Sequence, residues 1–265
     1  MNQHRAGSSL AVVVSVLVLA GCQAGGSGTA SPAAASRSGS PTPAAQPAVR
    51  TLDSAHCDNC MLTAGAYRLG PGTVLPGLDL TVPSGWLSHE DTPGELGLVP
   101  PAQGDSVLEF WLDQVAVRSS GPGHGTTELT NVGGTPSGLV GWLTSDPDFL
   151  IVSAPASVAV GQGITMTTLV VGVSPSANYG DPGCPSNPRC ADLFTNSYWI
   201  SSGNFSGIGG DEEVRLYLGT IQIHGSAHTF LIALDAPDHA DLQSLEKAAK
   251  PILDSVNLPT GTVSA

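Results

Sequence analysis

The segment EEVRLYLGTIQIHGSAHTFLIALDA places the tightest constraint on the fold of this 265-residue chain. Apolar and β-branched residues alternate along it, which is the pattern of a half-buried strand. Two such runs, residues 214–223 and 229–234, flank a short connection at residues 224–226. The segment therefore predicts an antiparallel hairpin, and this is the strongest β signal in the chain.

A helix is predicted directly after the hairpin. Asp238 and Asp241 stand at its start, where carboxylates cap free amide groups and meet the positive end of the helix dipole. Pro251 removes a backbone hydrogen bond inside the helix and is expected to kink it. The apolar residues that recur at helical spacing are Leu242, Leu245, Ala249, Ile252, Leu253 and Val256.

The part of the chain before the hairpin also indicates mostly β structure. Leu78, Leu80 and Val82 alternate with polar residues and lead through a Pro-Ser-Gly turn into Trp86, a strand–turn–strand pattern. We therefore expect one α+β domain over residues 51–265, an antiparallel β-sheet packed by a C-terminal helix. Its other predicted elements are strands within 107–119 and at 150–153, 158–160, 164–173 and 197–200, a short helix or turn at 139–143, and a long loop over 174–202.

Several short motifs carry a resemblance to known proteins. They are VPSGW near the start of the domain, GWLTSDPDFLIVSAPASVAVGQG in its middle, and PILDSVNLP at the end of the predicted helix. The chain resembles uncharacterised secreted proteins and lipoproteins of high-GC Gram-positive bacteria, and the two ends of the domain resemble the PsbP-like fold. The resemblance implies an antiparallel sheet backed by helices. It brings no catalytic residues with it, because neither group is defined by an active site.

The amino terminus has the layout of a bacterial lipoprotein signal. Residues 10–20 form an uncharged apolar run that is too short to span a bilayer. It ends in Leu19, Ala20, Gly21 and Cys22, which resembles the lipobox, so residues 1–21 are predicted to be a signal peptide and Cys22 the lipidated first residue of the mature chain. The alternative is an ordinary secretory signal in which Cys22 is incidental.

The stretch after Cys22 predicts a tether. Residues 22–50 are almost wholly Ala, Gly, Ser, Pro and Thr, and a segment without a periodic apolar face does not offset its own ordering entropy. As a flexible coil of this length it reaches roughly 30 Å. We therefore expect the folded domain to stand on the extracytoplasmic face of the cell membrane, held there by the lipid (diacylglyceryl and palmitate) on Cys22.

Charge restricts the partners of the domain. All 22 Asp and Glu residues fall after residue 50, against six Lys and Arg residues. Nucleic acid binding needs a basic surface, so a nucleic acid partner is excluded. Direct electrostatic binding of the domain to anionic lipid headgroups is disfavoured for the same reason. An acidic, well-solvated surface that keeps the protein soluble is sufficient to explain the composition.

The cysteine count fits an oxidising compartment. Beside Cys22 there are four cysteines in two close pairs, Cys57 with Cys60 and Cys184 with Cys190. An even number of cysteines in an exported protein predicts two disulfides. Three pairings are compatible with the sequence, and the spacing alone does not select among them.

Metal binding is the first alternative function. His56, Cys57, Cys60 and Met61 lie together in the sequence HCDNCM, and they are soft ligands of the kind that hold copper or zinc. Zinc ribbons usually repeat the two-residue cysteine spacing, whereas the second cysteine pair here is separated by five residues. Disulfides remain the preferred interpretation.

A hydrolase with an unrecognised site is the second alternative. The sequences GTPSG and GNFSG place serine one position too late for a nucleophile elbow. His224 and His228 flank the hairpin turn, where they could meet Asp235, Asp238 or His239. Exposed turn histidines and a helix-capping aspartate are the simpler interpretation.

Two further binding hypotheses remain. Asp146 and Asp148 are a weak signal for calcium, because two carboxylates around a proline are far short of a calcium-binding loop, and a turn before a strand explains them better. Trp86 and Trp199, if exposed side by side, would form a stacking platform for envelope sugars, although core packing is the default for tryptophan.

The sequence as a whole favours a non-enzymatic role. No complete catalytic constellation is present in it, and no cofactor motif stands out. We expect an accessory or binding protein of the cell envelope whose partner is another envelope protein or a small apolar ligand.

Overall fold

A computed structural model describes residues 48–53, 59–119, 126–177, 189–198, 206–259 and 263–264. The chain divides into two compact units, residues 1–46 and 47–265, and every described residue belongs to the second. Two helices, α1 (Pro136–Ser145) and α2 (His239–Ser255), accompany the strands. The strands are β1 Arg50–Leu52, β2 Cys60–Met61, β3 Gly65–Leu69, β4 Asp79–Val82, β5 Leu87–Asp91, β6 Glu95–Val99, β7 Val107–Leu112, β8 Val115–Ser119, β9 Thr126–Glu128, β10 Phe149–Val160, β11 Ile164–Val173, β12 Cys190–Thr195, β13 Ser206–Gly209, β14 Glu213–Ile223, β15 Ser226–Ala236 and β16 Val263–Ser264.

A nine-stranded antiparallel sheet forms the centre of the second unit. Its strands follow the order β10-β11-β14-β15-β7-β6-β5-β2, and β16 pairs with β14. The predicted hairpin is β14 and β15, paired without interruption from Glu213–Ala236 to Ile223–Ser226. His224 and Gly225 have φ angles of 51° and 84°, and two consecutive positive φ angles are what a tight hairpin turn requires. The antiparallel α+β class expected from the sequence is confirmed.

Two smaller sheets lie beside the central one. Strands β1, β3 and β4 form a three-stranded sheet, in which β1 runs parallel to β3. Strands β13, β12, β8 and β9 form a four-stranded sheet. Strand β1 includes Arg50, one residue inside the predicted tether, because its backbone pairs with Tyr67 and its guanidinium donates to the Ala64 carbonyl.

Each face of the central sheet carries a hydrophobic core. One core joins the sheet to α2 and to the three-stranded sheet, with Trp86, Phe110, Phe230 and Leu245 fully buried. The other core joins the opposite face to α1, β12 and β13, and it is centred on residues such as Leu216. The residues of both cores that the structure describes lie between positions 52 and 258.

Helix α2 begins where the sequence predicts. The Asp238 carboxylate is the N-cap and accepts from the backbone N–H groups of Ala240 and Asp241 at 2.8 and 2.9 Å. The helix continues through Pro251 to Ser255, although Pro251 has no N–H to donate to the preceding turn. Neither α2 nor α1, the two helices of the described part, combines the length and the hydropathy that a membrane span needs.

Two predictions about strands were wrong. Residues 174–202 were expected to form a loop with a strand at 197–200, but β12 (Cys190–Thr195) lies inside this range and residues 197–198 form a turn. Residues 199 and 200 lie outside the described part of the chain. All six residues of β12 are buried, since β8 and β13 flank the strand and the second core covers it. The predicted strands 150–153 and 158–160 are one strand, β10, which continues past Pro155 through register irregularities between Ile151 and Ala156.

Candidate functional site

A cleft at the end of α1 brings charged and aromatic side chains together. Helix α1 begins at the N-cap Thr135, whose hydroxyl accepts from the Gly138 N–H, and it ends at Asp146. The turn after Asp146 leads at once into β10. The cleft there is lined by Val117, Arg118, Trp142, Asp146, Asp148, Phe149, Ala191 and Asp192.

The Asp146 carboxylate is the centre of this cleft. Its side chain is 3% exposed, and one of its oxygens accepts from the indole N–H of Trp142 at 2.9 Å and from the Arg118 guanidinium. The other oxygen accepts from the backbone N–H of Asp148 at 3.1 Å. Both oxygens of Asp146 are therefore engaged by protein donors, an arrangement that serves the turn between α1 and β10 rather than a calcium ion.

Arg118 links this turn to the four-stranded sheet. It lies on β8, is 42% exposed, and its Nε lies 3.9 Å from the Asp148 carboxylate in addition to its bond with Asp146. The Trp142 ring packs edge-on against Phe149 and Phe194, with centroid distances of 5.1 and 6.1 Å. These contacts tie α1, β8, β10 and β12 together.

The cleft is small. About 10 Å³ of it can hold the centre of a water-sized sphere, which is room for roughly one water molecule. Its single guanidinium is already paired with Asp146. The arrangement is suited to holding the second core together, and it provides neither a nucleophile with a base nor a cavity for a substrate.

A second group of carboxylates lies at one end of the central sheet. Asp235 on β15 pairs with Val107 on β7 and with Val214 on β14. Glu109 stands two residues from Val107 on β7, so its side chain lies on the same face of the sheet as that of Asp235, and Glu212 immediately precedes β14. Burial raises the pKa of Asp235 well above its ordinary value, and the nearby charges of Glu109 and Glu212 raise it further. The N–H of Ala236 opposes this rise.

The carboxylates next to Asp235 are also affected by burial and by hydrogen bonds. Burial raises the pKa of Glu212, although its carboxylate accepts from the Gly209 N–H at 2.6 Å. The indole N–H of Trp111 donates to Glu109 at 3.1 Å. Because Asp235 lies among carboxylates in a partly buried position, the folded protein favours the neutral form of Asp235 more than the unfolded chain does.

The predicted histidines are separated in the structure. His224 occupies the hairpin turn, whereas the His228 imidazole lies 2.7 Å from the Asp113 carboxylate. The alternative in which His228 meets Asp235, Asp238 or His239 is therefore not the arrangement in the structure. His239 instead bonds to Glu213 at 2.8 Å, and this hydrogen bond and its charge raise the pKa of His239.

Most of the predicted cysteine and metal residues fall outside the described part of the chain. Cys22, His56, Cys57 and Cys184 all lie there, so lipidation, the disulfides and the metal hypothesis stay predictions. Cys60 on β2 and Cys190 on β12 are described, and neither is a free side chain. Within the described ranges, no three His, Cys, Asp or Glu side chains are placed to hold a metal ion.

The tryptophan platform is not formed by Trp86. The Trp86 side chain lies in the first core with 2% exposure, and Trp199 falls outside the described residues. Met61, one of the predicted metal ligands, is 74% exposed on β2.

Sequence reasoning missed the roles of Arg118 and Asp235, because each acts through residues that are distant in the chain and near only in the folded sheet.

Comparisons with known proteins show a weak structural likeness. No protein-family model matches the chain, and no curated protein matches it. Among solved structures, the chain is similar to the crystal structure of LpqN, involved in cell envelope biogenesis of Mycobacterium tuberculosis. The two are 16% identical, 74% of this chain and 86% of that chain are covered, and the TM-score is 0.36. This likeness carries no argument about function, and it does not confirm the resemblance to the PsbP-like fold.

Proposed function

We propose that this chain is a lipid-anchored protein of the bacterial cell envelope that acts by binding rather than by catalysis. The observation that carries the proposal is the sequence Leu19-Ala20-Gly21-Cys22 directly after an uncharged apolar run. An Ala/Ser/Pro-rich stretch follows it and precedes the folded unit. In this account residues 1–21 are removed, Cys22 receives the lipid, and the following stretch is the tether.

One feature of the described residues supports a binding role. The charged cleft at Asp146 is small and Arg118 is already paired with Asp146, so the cleft is suited to stabilising the second core rather than to binding a ligand. Strand β10, by contrast, presents exposed apolar side chains at Leu150 and Val152, which is typical of contact surfaces. In this account the partner is an envelope protein or a small apolar ligand.

Disulfides complete the proposal. We place Cys57, Cys60, Cys184 and Cys190 in two disulfides, which suit an extracytoplasmic domain exposed to an oxidising compartment. Support comes from Cys60 and Cys190, neither of which is a free side chain. If the four cysteines are oxidised, they have no thiolates to offer to copper or zinc.

Replacing Cys22 with alanine is expected to abolish lipid attachment. In a bacterial host fed an alkyne analogue of palmitate, the wild-type protein incorporates the label and the Cys22→Ala variant does not, because the cysteine sulfur is the acceptor of the diacylglyceryl group. Click detection on the immunoprecipitated protein measures this. Ser27→Ala, a change within the tether, is the matched control and keeps the label.

Two outcomes of the labelling experiment would contradict the proposed anchor. One is a wild-type protein without label. The other is a Cys22→Ala variant labelled as strongly as the wild type, which would place the acyl group on a different residue.

A further inference from the structure

The second unit contains two methionines, and the structure places them in opposite surroundings. Met61 on β2 is 74% exposed, whereas Met166 on β11 is 2% exposed. No other large apolar side chain that the structure describes is as exposed as Met61. Because a thioether must meet a dissolved oxidant to react with it, this difference sets the order in which the two sulfurs are oxidised.

Met61 is exposed because of the position of β2 in the sheet. Strand β2 is the last strand at one end of the central sheet, has only two residues, and pairs with β5 alone among the described strands. Met61 lies opposite Leu87 in this pairing, and its side chain is not one of the described members of either core. An oxygen atom added to its sulfur would lie in water, where it accepts hydrogen bonds and displaces no packed side chain.

Met166 is enclosed by its neighbours. It pairs with Val158 on β10 and belongs to the first core. A Cβ atom at Gly219 on β14 would lie 3.1 Å from the Met166 Cγ and 3.4 Å from its Cε, so the thioether fills the space that this glycine leaves. An oxygen added to the Met166 sulfur would be a polar atom buried in an apolar core. Met166 is therefore expected to react only when the sheet opens locally or unfolds.

Cysteine thiolates would compete with Met61 for an oxidant. Cys60, the residue before Met61, is not a free side chain, and neither is Cys190. This step rests on the disulfides of the proposed function: with the four cysteines of the domain oxidised, the Met61 thioether is the first reduced sulfur of the domain that an oxidant meets.

We propose that Met61 is a site of oxidation by peroxides, at which the side chain becomes methionine sulfoxide and the fold is kept. The sulfur lone pair attacks one oxygen of hydrogen peroxide, the S–O bond forms and the O–O bond breaks. The second oxygen takes the proton of the first and leaves as water. The sulfur loses two electrons and the peroxide gains them, so no further reactant is needed.

Peptide mapping by mass spectrometry tests this site on the full-length protein, purified in detergent from membranes of a bacterial host. During treatment with hydrogen peroxide, the peptide with Met61 is expected to gain one oxygen at least about tenfold faster than the peptide with Met166. In concentrated urea the two rates should agree within about twofold, since both sulfurs are then in water. The urea arm shows whether the native difference comes from the fold or from the neighbouring residues in the chain.

Met61→Leu and Met166→Leu are a matched pair of variants, because leucine keeps an apolar side chain of similar volume. Met61→Leu should lose the fast oxidation, and Met166→Leu should keep it. Wild-type protein oxidised at Met61 alone should unfold within about 2 °C of the untreated protein.

Three results would overturn the proposal. One is a Met61 that resists peroxide in the native protein, and another is a Met166 that is oxidised as quickly as Met61 there. The third is a fall of more than about 2 °C in the unfolding midpoint after oxidation of Met61 alone, which would show that this side chain takes part in the packing.

Discussion

Replacing Asp146 with alanine is expected to lower the free energy of unfolding by about 2–3 kcal/mol. The substitution leaves the indole N–H of Trp142 buried without its acceptor, and it also removes the acceptor of the Asp148 N–H. Arg118 loses its closest carboxylate. Because Arg118 is 42% exposed, its charge can be rehydrated, which keeps the loss below that of a fully buried ion pair.

Urea denaturation of the wild type and two variants measures this loss. Asp146→Asn retains an acceptor for Trp142 but not the charge, and about half of the loss is expected. Asp254→Ala is the control, since it breaks an exposed pair with Lys250 on α2 and should cost less than about 0.5 kcal/mol. A change of less than about 0.5 kcal/mol in Asp146→Ala would show that the cleft does not hold α1 in place.

Replacing Asp235 with asparagine is expected to stabilise the protein at neutral pH. The raised pKa of Asp235 means that the folded protein holds a proton that the unfolded chain releases above the ordinary pKa of 3.8. Stability is therefore lost as pH rises from that value through the raised pKa. Asparagine carries no charge at any pH, and it does not repel Glu109 or Glu212.

The pH dependence of unfolding tests this directly. The wild type should lose stability relative to Asp235→Asn as the pH rises above about 4, and the difference should vanish below it. Asp105→Asn, which removes one negative charge at an exposed position, is the control and should leave the profile unchanged. An Asp235→Asn variant that is less stable than the wild type at pH 7 would show that the carboxylate is ionised and well satisfied.

The elements that the sequence predicted best are those with local signals. The hairpin of β14 and β15 follows from alternation and from a turn containing Gly225. The start of α2 follows from a single capping carboxylate at Asp238. Each of these signals involves residues close together in the chain, so no knowledge of the rest of the fold was needed.

The elements that were missed depend on distant neighbours. Strand β12 lies in a stretch rich in Pro, Asn and Ser, and only pairing with β8 and β13 makes it a strand. Residues 150–153 and 158–160 were predicted as separate strands, but they join in β10, because an edge strand with an irregularity accommodates Pro155. Arg118 and Asp146 are 28 residues apart in the chain, and no local pattern links them.

Mass spectrometry of the amino-terminal peptide, released from membranes of the native host, tests the proposed anchor most directly. The account predicts a mature chain that begins at Cys22, with a mass increased by a diacylglyceryl group and by any further acyl chain on the amino group. A chain that begins at another residue, or an unmodified Cys22 at the amino terminus, would contradict it.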